Sequence, residues 1–582
     1  MSVVLSEHLP LLASAPGGIQ KLRGLILELA VRGKLVQQDP DDEPASELLK
    51  RIAQERARLE AEGVCKKSKL LPSASSGEFY SLPKSWQWSA LDPLVRVMDS
   101  GWSPACIETP SPSSDVWGVL KTTAVQTFQY LEYENKELPA HLKPRPECEV
   151  AAGDILITRA GPKNRVAISC LVETTRPRLM ISDKIIRFHL VEGGMYEKFV
   201  ALCLSSGATA TYLESAKSGM AASQMNITQD KLRAAPIPVC STAEQQRIVA
   251  KVDELMALCD RLAAEQADAG SAHARLVETL LGTLSQSTDA ADLAANWQRL
   301  AEHFDTLFTT EASIDALKQT VLQLAVMGKL VPQDPNDEPA SELLNRIAQE
   351  RTQLEAEGIY KKSKPLPPVE EEDQPYVIPE KWSWCRLGQS VIKSGAGWSP
   401  ACESRPREKN EWGVLKVSAV SWGAFDPAEN KALPANLEPR PEHEVVAGDF
   451  LVSRANTAEL VARSVVVEDC PQHLMLSDKI VRLKLSKSVV GRFINLANSC
   501  SQARSYYTAV AGGTSSSMKN VSREQILNLV LPLPPLAEQH RIVAKVDELM
   551  ALCDSLKADL ASARQHQALL ADTLIDAALE AA

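Results

Sequence analysis

The chain contains one sequence pattern twice. The segment Ala30–Gly63 returns with few changes at Ala325–Gly358, and the segment Ala243–Asp260 returns at Ala537–Asp554. The copies lie 295 residues apart in the first pair and 294 residues apart in the second. Two copies at one spacing indicate two like structural units within one polypeptide. A protein with two like faces usually engages a partner with two like halves, and duplex DNA is the commonest such partner.

Size and composition are typical of a multidomain globular protein. The 582 residues predict about three to five domains of ordinary size. A hydrophobic fraction of 45% is sufficient for packed cores. No apolar run reaches the roughly 18 residues of a membrane span, and the amino terminus lacks the basic stretch of a secretory signal. The twelve cysteines are scattered without a C-x-x-C pair, which favours reduced, buried thiols and a cytoplasmic location.

Charge is unevenly distributed along the chain. The net charge is −11, but residues 80–240 carry +1 and residues 376–535 carry +4, which leaves −16 for the remainder. Local patches steer a charged ligand more strongly than the total charge does. The two neutral-to-basic segments therefore remain compatible with nucleic-acid binding in an acidic protein.

The repeated segments predict helices. From Glu244 to Leu262, apolar side chains recur every three or four residues, which is the spacing of one helix face. Ser241 and Glu244 form an S-x-x-E capping-box pattern at its beginning. If residues 243–270 form one helix, it is about 40 Å long. We expect its stripe at Leu255, Met256 and Leu258 to form the core of a helical spacer, part of which docks a partner.

The segments between the helical parts have a different character. Each is about 155 residues long and carries short runs rich in Val, Ile and Thr, which are typical of strands. They share blocks such as Gly101–Cys106, which returns at Gly397–Cys402. We therefore predict an α+β fold in which two globular domains are separated by long antiparallel helices, as a pseudo-two-fold tandem repeat. The N-terminal lead-in and the C-terminal helix are expected to pair with each other. The predicted parts are a helical lead-in (1–75), globular domain 1 (76–240), a helical region (241–285), a linker (286–312), a second lead-in (313–370), globular domain 2 (371–535) and a C-terminal helical region (536–582).

Sequence motifs of common enzymes are missing. Gly33-Lys34 and Gly328-Lys329 invite a search for a P-loop, but the G-x-x-x-x-G-K-[ST] pattern is absent. The sequence has no Asn-Pro-Pro or Asp-Pro-Pro, which amino-methyltransferases use to hold a target base, and no H-E-x-x-H or G-x-S-x-G. This argues against a nucleotide-driven enzyme and against a self-sufficient methyltransferase.

Three pairs of motifs make the sequence resemble the specificity subunits of Type I restriction-modification systems. They are a proline-rich run into a helix, a G-D-[IF]-L-[IV]-x-R segment, and a glycine-led polar loop before the last strand of each domain. In this sequence they stand at Leu533–Asp547 and Ala243–Asp253, at Gly153–Arg159 and Gly448–Arg454, and at Gly219–Thr228 and Gly513–Ser522. The resemblance covers nearly the whole chain.

The resemblance implies a non-catalytic DNA-recognition subunit. Each globular domain would be a target recognition domain that reads one half of a bipartite, gapped site in double-stranded DNA. The helices would dock two modification (methyltransferase) subunits, and restriction (endonuclease and translocase) subunits would join them. S-adenosylmethionine, ATP and Mg would belong to those partners, with no cofactor, metal or catalytic residue in this chain and no membrane partner. Two readers on one face of a duplex sit about 34 Å apart, which is the scale of the predicted helices.

Two other interpretations stay open. One is a coiled-coil scaffold for protein partners that does not bind DNA, and it predicts no salt-sensitive DNA affinity. The other is an enzyme of unrecognised type, which turnover by the isolated chain would reveal.

Candidate DNA-binding residues lie in loops and on shared lysines. Arginine, asparagine and glutamine suit base edges, whereas lysine suits phosphates. In domain 1 the candidates in loops are Arg159, Lys163, Asn164, Arg165, Ser223, Gln224 and Asn226. In domain 2 they are Arg454, Asn456, Thr457, Ser516, Ser517, Lys519 and Asn520. The lysines common to both domains are Lys121, Lys184, Lys416 and Lys479.

Each group of candidates has a structural alternative. The loops could be ordinary solvated turns, and the shared lysines could form surface salt bridges instead of phosphate contacts. Trp102 and Trp398 could stack on a base, but identical aromatic residues in both copies favour a place in the core. The loops that follow Arg159 and Arg454 differ from each other, as two different half-sites would require.

Overall fold

Long helices and short strands alternate along the chain, which confirms the predicted α+β fold class. The computed structural model describes residues 11–65, 79–358, 365–421, 423–457, 460–515 and 518–581. The helices are α1 (Gly18–Val31), α2 (Ala45–Ala61), α3 (Glu197–Leu204), α4 (Gly207–Ala216), α5 (Gln229–Arg233), α6 (Thr242–Gln286), α7 (Ala290–Glu302), α8 (Phe304–Leu307), α9 (Glu311–Val326), α10 (Ala340–Ala356), α11 (Gly491–Ser499), α12 (Ser501–Val510), α13 (Arg523–Leu527) and α14 (Leu536–Ala581).

The strands lie between the helical parts and form two sets, which match except that domain 2 has an isolated bridge between Val420 and Phe425 in place of the strands Val125–Gln126 and Gln129–Tyr130 of domain 1. In domain 1 they are β1 (Gln87–Ala90), β2 (Val95–Ser100), β3 (Gly118–Leu120), β4 (Val125–Gln126), β5 (Gln129–Tyr130), β6 (Asn135–Glu137), β7 (Ile155–Thr158), β8 (Ala160–Gly161), β9 (Ser169–Leu171), β10 (Leu179–Met180), β11 (Ile185–Leu190), β12 (Ser218–Ala221), β13 (Gln224–Asn226) and β14 (Pro236–Val239). In domain 2 they are β15 (Ser383–Arg386), β16 (Val391–Ala396), β17 (Gly413–Leu415), β18 (Asn430–Ala432), β19 (Phe450–Ser453), β20 (Ala455–Asn456), β21 (Ser464–Val466), β22 (Leu474–Met475), β23 (Ile480–Leu485), β24 (Gly512–Ser515), β25 (Met518–Asn520) and β26 (Val530–Leu533).

The chain divides into two compact units. Unit 1 consists of Met1–Asp268 with Ala563–Ala582, and unit 2 consists of Ala269–Ser562. The first part of α6 and the last part of α14 therefore belong to unit 1, and the remaining parts of these two helices belong to unit 2. No helix among the described residues has the length and apolarity needed to cross a lipid bilayer.

A four-stranded antiparallel sheet forms the frame of each globular domain. Its strand order is β2-β11-β7-β9 in domain 1 and β16-β23-β19-β21 in domain 2. Alternate residues of a strand point to opposite faces of the sheet. Ile155 and Ile157 of β7 accordingly pack into the core that contains the helices, and Leu156 packs into the core of a second small sheet, β10-β3-β6. Both faces are buried, which explains why three of the four residues of β7 are large and apolar.

In each domain, the first and last strands pair with each other as a two-stranded sheet. Strand β1 pairs antiparallel with β14, so that Gln87 faces Val239, and β15 pairs antiparallel with β26, so that Ser383 faces Leu533. The chain thus enters and leaves each domain on neighbouring strands. A segment with adjacent ends at its surface is a module that can be exchanged without moving the rest of the chain.

The lead-in helix of unit 1 packs against both long helices. Arg23 pairs with Asp260 of α6, and Lys21 Nζ lies 2.6 Å from Asp572 Oδ1 of α14. Leu12 and Ala571 share a small core there. These contacts confirm the predicted pairing of the N-terminal lead-in with the C-terminal helix.

The two Gly-Lys pairs have a structural role. Gly33 and Gly328 take positive φ angles of 69° and 71°, the left-handed conformation that commonly ends a helix. Lys34 Nζ then donates to the carbonyl oxygen of Leu579 at 3.4 Å, near the end of α14. Lys329 Nζ donates to the carbonyl oxygens of Ser285 and Ser287 at 2.8 Å each, at the end of α6. Each lysine places a cation at the negative end of a long helix.

The predicted capping box at the start of α6 is only half present. Ser241 Oγ accepts a hydrogen bond from the Glu244 backbone N–H at 2.9 Å, as the pattern predicts. The Glu244 carboxylate does not return to Ser241. It accepts hydrogen bonds from Trp86 Nε1 at 3.0 Å and from the side-chain amide of Gln38. Glu244 therefore joins α6 to the beginning of domain 1.

Unit 2 repeats this connection with its own residues. Glu538 accepts hydrogen bonds from Trp382 Nε1 at 2.9 Å and from Gln333 Nε2 at 2.6 Å. Both glutamates are 1% exposed, and this burial raises the pKa of each carboxyl group above its ordinary value. The E-Q-x-R motif of the long helices therefore holds each globular domain onto its helices.

Candidate nucleic-acid interface

A small sheet brings the two predicted loops of domain 1 together. Its strand order is β12-β13-β8, so the hairpin that carries Gln224 and Asn226 pairs with the strand that follows Arg159. Asn226 faces Ala160 in this ladder. The backbone N–H of Lys163 also donates to the carbonyl oxygen of Ala222 at 2.7 Å. Ser223 lies in the turn of the hairpin, and its side chain is exposed, as are those of Gln224 and Asn226.

Arg159 lies where this small sheet meets the main sheet. Its backbone N–H donates to the carbonyl oxygen of Lys184 at 2.7 Å, and its own carbonyl accepts from Ile227 at 2.9 Å. Lys184 is exposed. The structure therefore places Arg159, Lys184 and the hairpin at one edge of the domain, where an arginine, a lysine and amide groups converge.

The three residues of the next turn differ in environment. Lys163 is 58% exposed, and its Nζ lies 3.3 Å from Glu214 Oε1. Asn164 is exposed. The Arg165 guanidinium points inward and donates to Gln126 Oε1 at 3.0 Å and to two backbone carbonyl oxygens, at 2.7 and 3.0 Å. Arg165 thus ties the turn to the β4–β5 hairpin, and a DNA contact by any of the three residues stays a prediction.

Domain 2 builds the same arrangement from its own loops. The strand order is β20-β25-β24, in which Asn456 faces Lys519 and Ala455 faces Asn520. The backbone N–H of Arg454 donates to the carbonyl oxygen of Lys479 at 2.9 Å, as Arg159 does to Lys184. The arginine, the exposed lysine and the hairpin asparagine therefore occupy matching positions in both domains.

The loops of domain 2 differ from those of domain 1 beyond the shared positions. Asn456 Oδ1 accepts a hydrogen bond from the backbone N–H of Thr457 at 2.9 Å. Lys519 Nζ donates to the carbonyl oxygen of Gly513 at 3.0 Å. The predicted sites Ser516 and Ser517 lie outside the described residues. The two surfaces thus share a frame and present different side chains on it.

Lys121 and Lys416, the other two lysines that both domains share, form ion pairs. Lys121 Nζ lies 3.6 Å from Glu134 Oε2, and Lys416 Nζ lies 3.5 Å from Glu429 Oε2. The pKa of each glutamate is lowered, first by a hydrogen bond from the hydroxyl of Thr123 or Ser418 and then by the lysine. These pairs are the surface salt bridges that the sequence left open for Lys121 and Lys416, and their contact with DNA stays a prediction.

Both tryptophans of the shared G-W-S-P-A-C block are covered by an arginine. The Arg145 guanidinium lies 4.5 Å from the ring centroid of Trp102, and that of Arg440 lies 4.2 Å from the ring of Trp398. Both rings also pack against a hydrophobic core. Both rings are partly buried, so the expectation of a core position is met in part, and stacking on a base stays a prediction.

Two exposed apolar side chains of domain 1 were not singled out from the sequence. Met220 lies on the β12–β13 hairpin, and Phe128 lies in the turn between β4 and β5. Phe128 has a φ angle of 63°, and the residue that matches it in domain 2 is Gly423, with a φ angle of 66°. A non-glycine residue at such an angle is worth attention. The sequence did carry a signal for Phe128, because the two domains are otherwise similar here and domain 2 has a glycine in place of this aromatic residue.

The arrangement offers cations, amides and hydroxyls on exposed loops of both domains. These groups are suited to phosphate oxygens and base edges. Within the described ranges, no group of three or more His, Cys, Asp or Glu side chains could hold a metal ion. Fold and surface together define a class of protein: a tandemly duplicated α+β protein with two like surfaces suited to nucleic acid.

Comparison with known proteins identifies the family. The chain is 41% identical over 567 residues to the EcoEI Type I restriction enzyme specificity subunit of Escherichia coli, a match that covers 97% of this chain and 94% of that relative. It is 39% identical over 589 residues to the EcoAI specificity subunit of the same species, with the same coverage. The chain therefore belongs to the family of Type I restriction enzyme specificity subunits, which are non-catalytic. This confirms the resemblance that the sequence motifs indicated.

The comparisons with family models and with solved structures do not add to this identification. No family model matches the sequence. A solved chain from work on assembly and conformational transition of a type I R-M system is 17% identical, with a TM-score of 0.44, and the match covers 86% of this chain and 99% of that chain. The HsdS subunit from Thermoanaerobacter tengcongensis is also 17% identical, with a TM-score of 0.40 and coverage of 86% and 98%.

Proposed function

We propose that this chain is the sequence-reading subunit of a Type I restriction-modification complex. Each target recognition domain (76–240 and 371–535) contacts one half of a bipartite, gapped site in double-stranded DNA. The observation that carries this proposal is the matching surface of the two domains. Each has an arginine beside an exposed lysine, next to a polar hairpin, on the same strand frame.

Shared and unshared residues have different roles in this proposal. Lys184 and Lys479 hold matching positions and contact phosphates, because a phosphate contact is independent of sequence. Arg159 and Arg454 reach base edges or phosphates from the same place in each domain. The side chains that differ, such as Asn164 in domain 1 and Thr457 in domain 2, distinguish the two half-sites.

The ion pair between Lys163 and Glu214 is compatible with a phosphate contact. Both side chains are more than half exposed, and such pairs contribute only about 0 to 1 kcal/mol to stability. A phosphate can therefore displace the Glu214 carboxylate at little cost. Arg165 then acts as the residue that holds the turn in place.

The long helices dock the partners. We propose that two modification subunits bind along them, and that restriction subunits join the complex with their own S-adenosylmethionine, ATP and Mg. Large apolar side chains are exposed on α14, at Leu552 (60%) and Leu569 (65%), and exposed apolar area is typical of binding surfaces. We expect a cytoplasmic location, because all twelve cysteines are free thiols.

A binding experiment with single variants tests the proposal. The full chain, combined with its modification subunits, is titrated with duplex DNA at several salt concentrations. We expect Lys184→Ala to weaken binding to all sequences and to reduce the salt slope by about 1. We expect Arg159→Ala to weaken binding by about 1 to 3 kcal/mol if the arginine reads a base, with relaxed preference at one position.

Lys50→Ala serves as the matched control, because Lys50 is an exposed, ion-paired lysine of the helical lead-in. It should leave the affinity and the salt slope unchanged. DNA affinity that does not depend on salt would favour the scaffold interpretation and contradict the proposal. So would an equal effect of Lys50→Ala and Lys184→Ala.

A further inference from the structure

The hairpin of domain 1 carries one apolar side chain that points entirely into solvent. The relative exposure of Met220 is 106%, so the residue is fully exposed to solvent. Its neighbours on the hairpin include the polar candidates Gln224 and Asn226, which are also exposed. An uncovered thioether side chain among groups suited to base edges needs a physical reason.

The backbone of the hairpin is built to project this side chain. Ser218 faces Asn226 and Ala221 faces Gln224, with a register shift between the two pairs. Gly219 and Met220 therefore stand together opposite Met225, which is a β-bulge. A Cβ atom at Gly219 would overlap the Gln224 carbonyl oxygen and lie 2.9 Å from Met225 Sδ. Only glycine therefore fits at position 219, where the backbone packs against the opposite strand, and the next residue, Met220, is exposed to solvent.

The two methionines of the hairpin have opposite environments. Met225 is partly buried and packs against the hydrophobic core of unit 1, so it anchors the hairpin. Met220 lies on the free side, beside the turn that contacts Lys163 through the Ala222 carbonyl. The hairpin thus presents an apolar tip together with hydrogen-bonding groups on one small sheet.

The chemistry of this tip matches one feature of DNA. A two-stranded ribbon fits the major groove, and thymine is the base that presents a methyl group there. Apolar side chains recognise thymine through this methyl group, and amide side chains such as that of Gln224 recognise adenine. Methionine is flexible and polarizable, which suits it to contact with a small apolar group.

We propose that Met220 is a specificity-determining residue of domain 1, and that its side chain contacts the 5-methyl group of a thymine in the half-site that this domain reads. The inference rests on the function proposed above. The residue at the matching sequence position of domain 2 is Thr514, which is shorter and carries a hydroxyl group. The two domains therefore carry different side chains at this position.

A thymine-to-uracil scan tests the contact, because uracil lacks only the methyl group. Methylation mapping in a host that carries the complex first gives the recognised sequence. Duplexes with a single uracil at each thymine of the site are then titrated with the full chain and its modification subunits. For the unmodified protein, we expect one position in one half-site at which uracil weakens binding about fourfold, the effect of burying one methyl group.

The variant Met220→Ala completes a double-mutant cycle. It should bind thymine DNA more weakly than the unmodified protein and lose its response to uracil at that position, while it still responds elsewhere. Met220→Leu should retain the response, because it keeps an apolar side chain. The substituted side chain is fully exposed, so thermal unfolding should not change, and this measurement separates a lost contact from a misfolded hairpin.

The outcomes distinguish this inference from the proposed function. The inference alone is overturned if sequence-specific binding is intact but no thymine position responds to uracil, or if the responsive position responds equally in Met220→Ala. A half-site without thymine on either strand overturns it as well. Failure of the unmodified complex to bind any DNA sequence selectively overturns the proposed function and, with it, this inference.

Discussion

Removal of the Glu244 carboxylate should destabilise unit 1 by about 1 to 3 kcal/mol. The carboxylate is 1% exposed and accepts hydrogen bonds from Trp86 Nε1 and from Gln38. Glu244→Ala leaves Trp86 Nε1 without an acceptor, whereas Gln38 Nε2 keeps the carbonyl oxygen of Gly33 at 3.2 Å. One unsatisfied buried donor costs about 1 to 3 kcal/mol. The variant also removes a buried carboxyl group whose pKa is raised by burial, so the net loss stays within that range.

Hydrogen exchange measured by mass spectrometry reports this loss unit by unit. Peptides from unit 1 should exchange faster in Glu244→Ala, and peptides from unit 2 should exchange faster in Glu538→Ala, which removes the matching carboxylate. Glu254→Ala is the control, because Glu254 is 65% exposed in an ion pair with Lys251 and should change stability by less than about 0.5 kcal/mol. Equal effects of Glu244→Ala and Glu254→Ala would refute the reasoning.

Three further predictions concern the frame. First, the raised pKa of Glu244 means that the folded state holds its proton to higher pH than the unfolded state, whose pKa is near the ordinary value of 4.5. The free energy of unfolding of the unmodified chain is compared with that of Glu244→Gln by urea unfolding. The difference in favour of the unmodified chain should be greatest below pH 4.5 and fall as pH rises through the folded-state pKa. A difference that grows with pH would contradict this. Second, Gly33→Ala should lose about 1 to 3 kcal/mol more than Gly63→Ala. Both glycines have positive φ, but only at Gly33 would a Cβ meet Pro83, at 2.6 Å, so equal losses in thermal unfolding would disprove the steric argument. Third, Lys329→Met should destabilise unit 2 by about 1 to 2 kcal/mol in urea unfolding, because the two carbonyl oxygens at the end of α6 lose their donor; an unchanged midpoint would show that the lysine does not cap the helix.

The sequence was sufficient to predict features that depend on local pattern or on repetition. The duplication predicted two like domains, and the short run Asp154–Thr158 predicted a strand, which the structure places at Ile155–Thr158. The paired glycine-led loops predicted surfaces that the structure places in matching sheets. These signals are either periodic or present in both copies.

Contacts between distant segments were not predictable from the sequence. Glu244 was expected to cap its own helix, but its carboxylate reaches Trp86, 158 residues earlier. The sequence did not indicate that the Arg165 guanidinium reaches the β4–β5 hairpin about 40 residues upstream, and its contact with DNA stays a prediction. The outward place of Met220 depends on the register of a bulge, which follows from strand pairing and not from composition.

An exchange of one domain tests the central claim most directly. Residues 87–239 are replaced by residues 383–533 of the same chain, so that domain 2 occupies both domain positions. The ends of the inserted segment match those of the segment it replaces, because the first and last strands pair with each other in both domains, β1 with β14 and β15 with β26. Long-read mapping of methylated adenines in a host with the partner subunits gives the recognised sequence. We expect a recognised site in which the half read by domain 1 is replaced by a second copy of the half read by domain 2. Methylation of the original sequence by the exchanged protein would contradict this expectation.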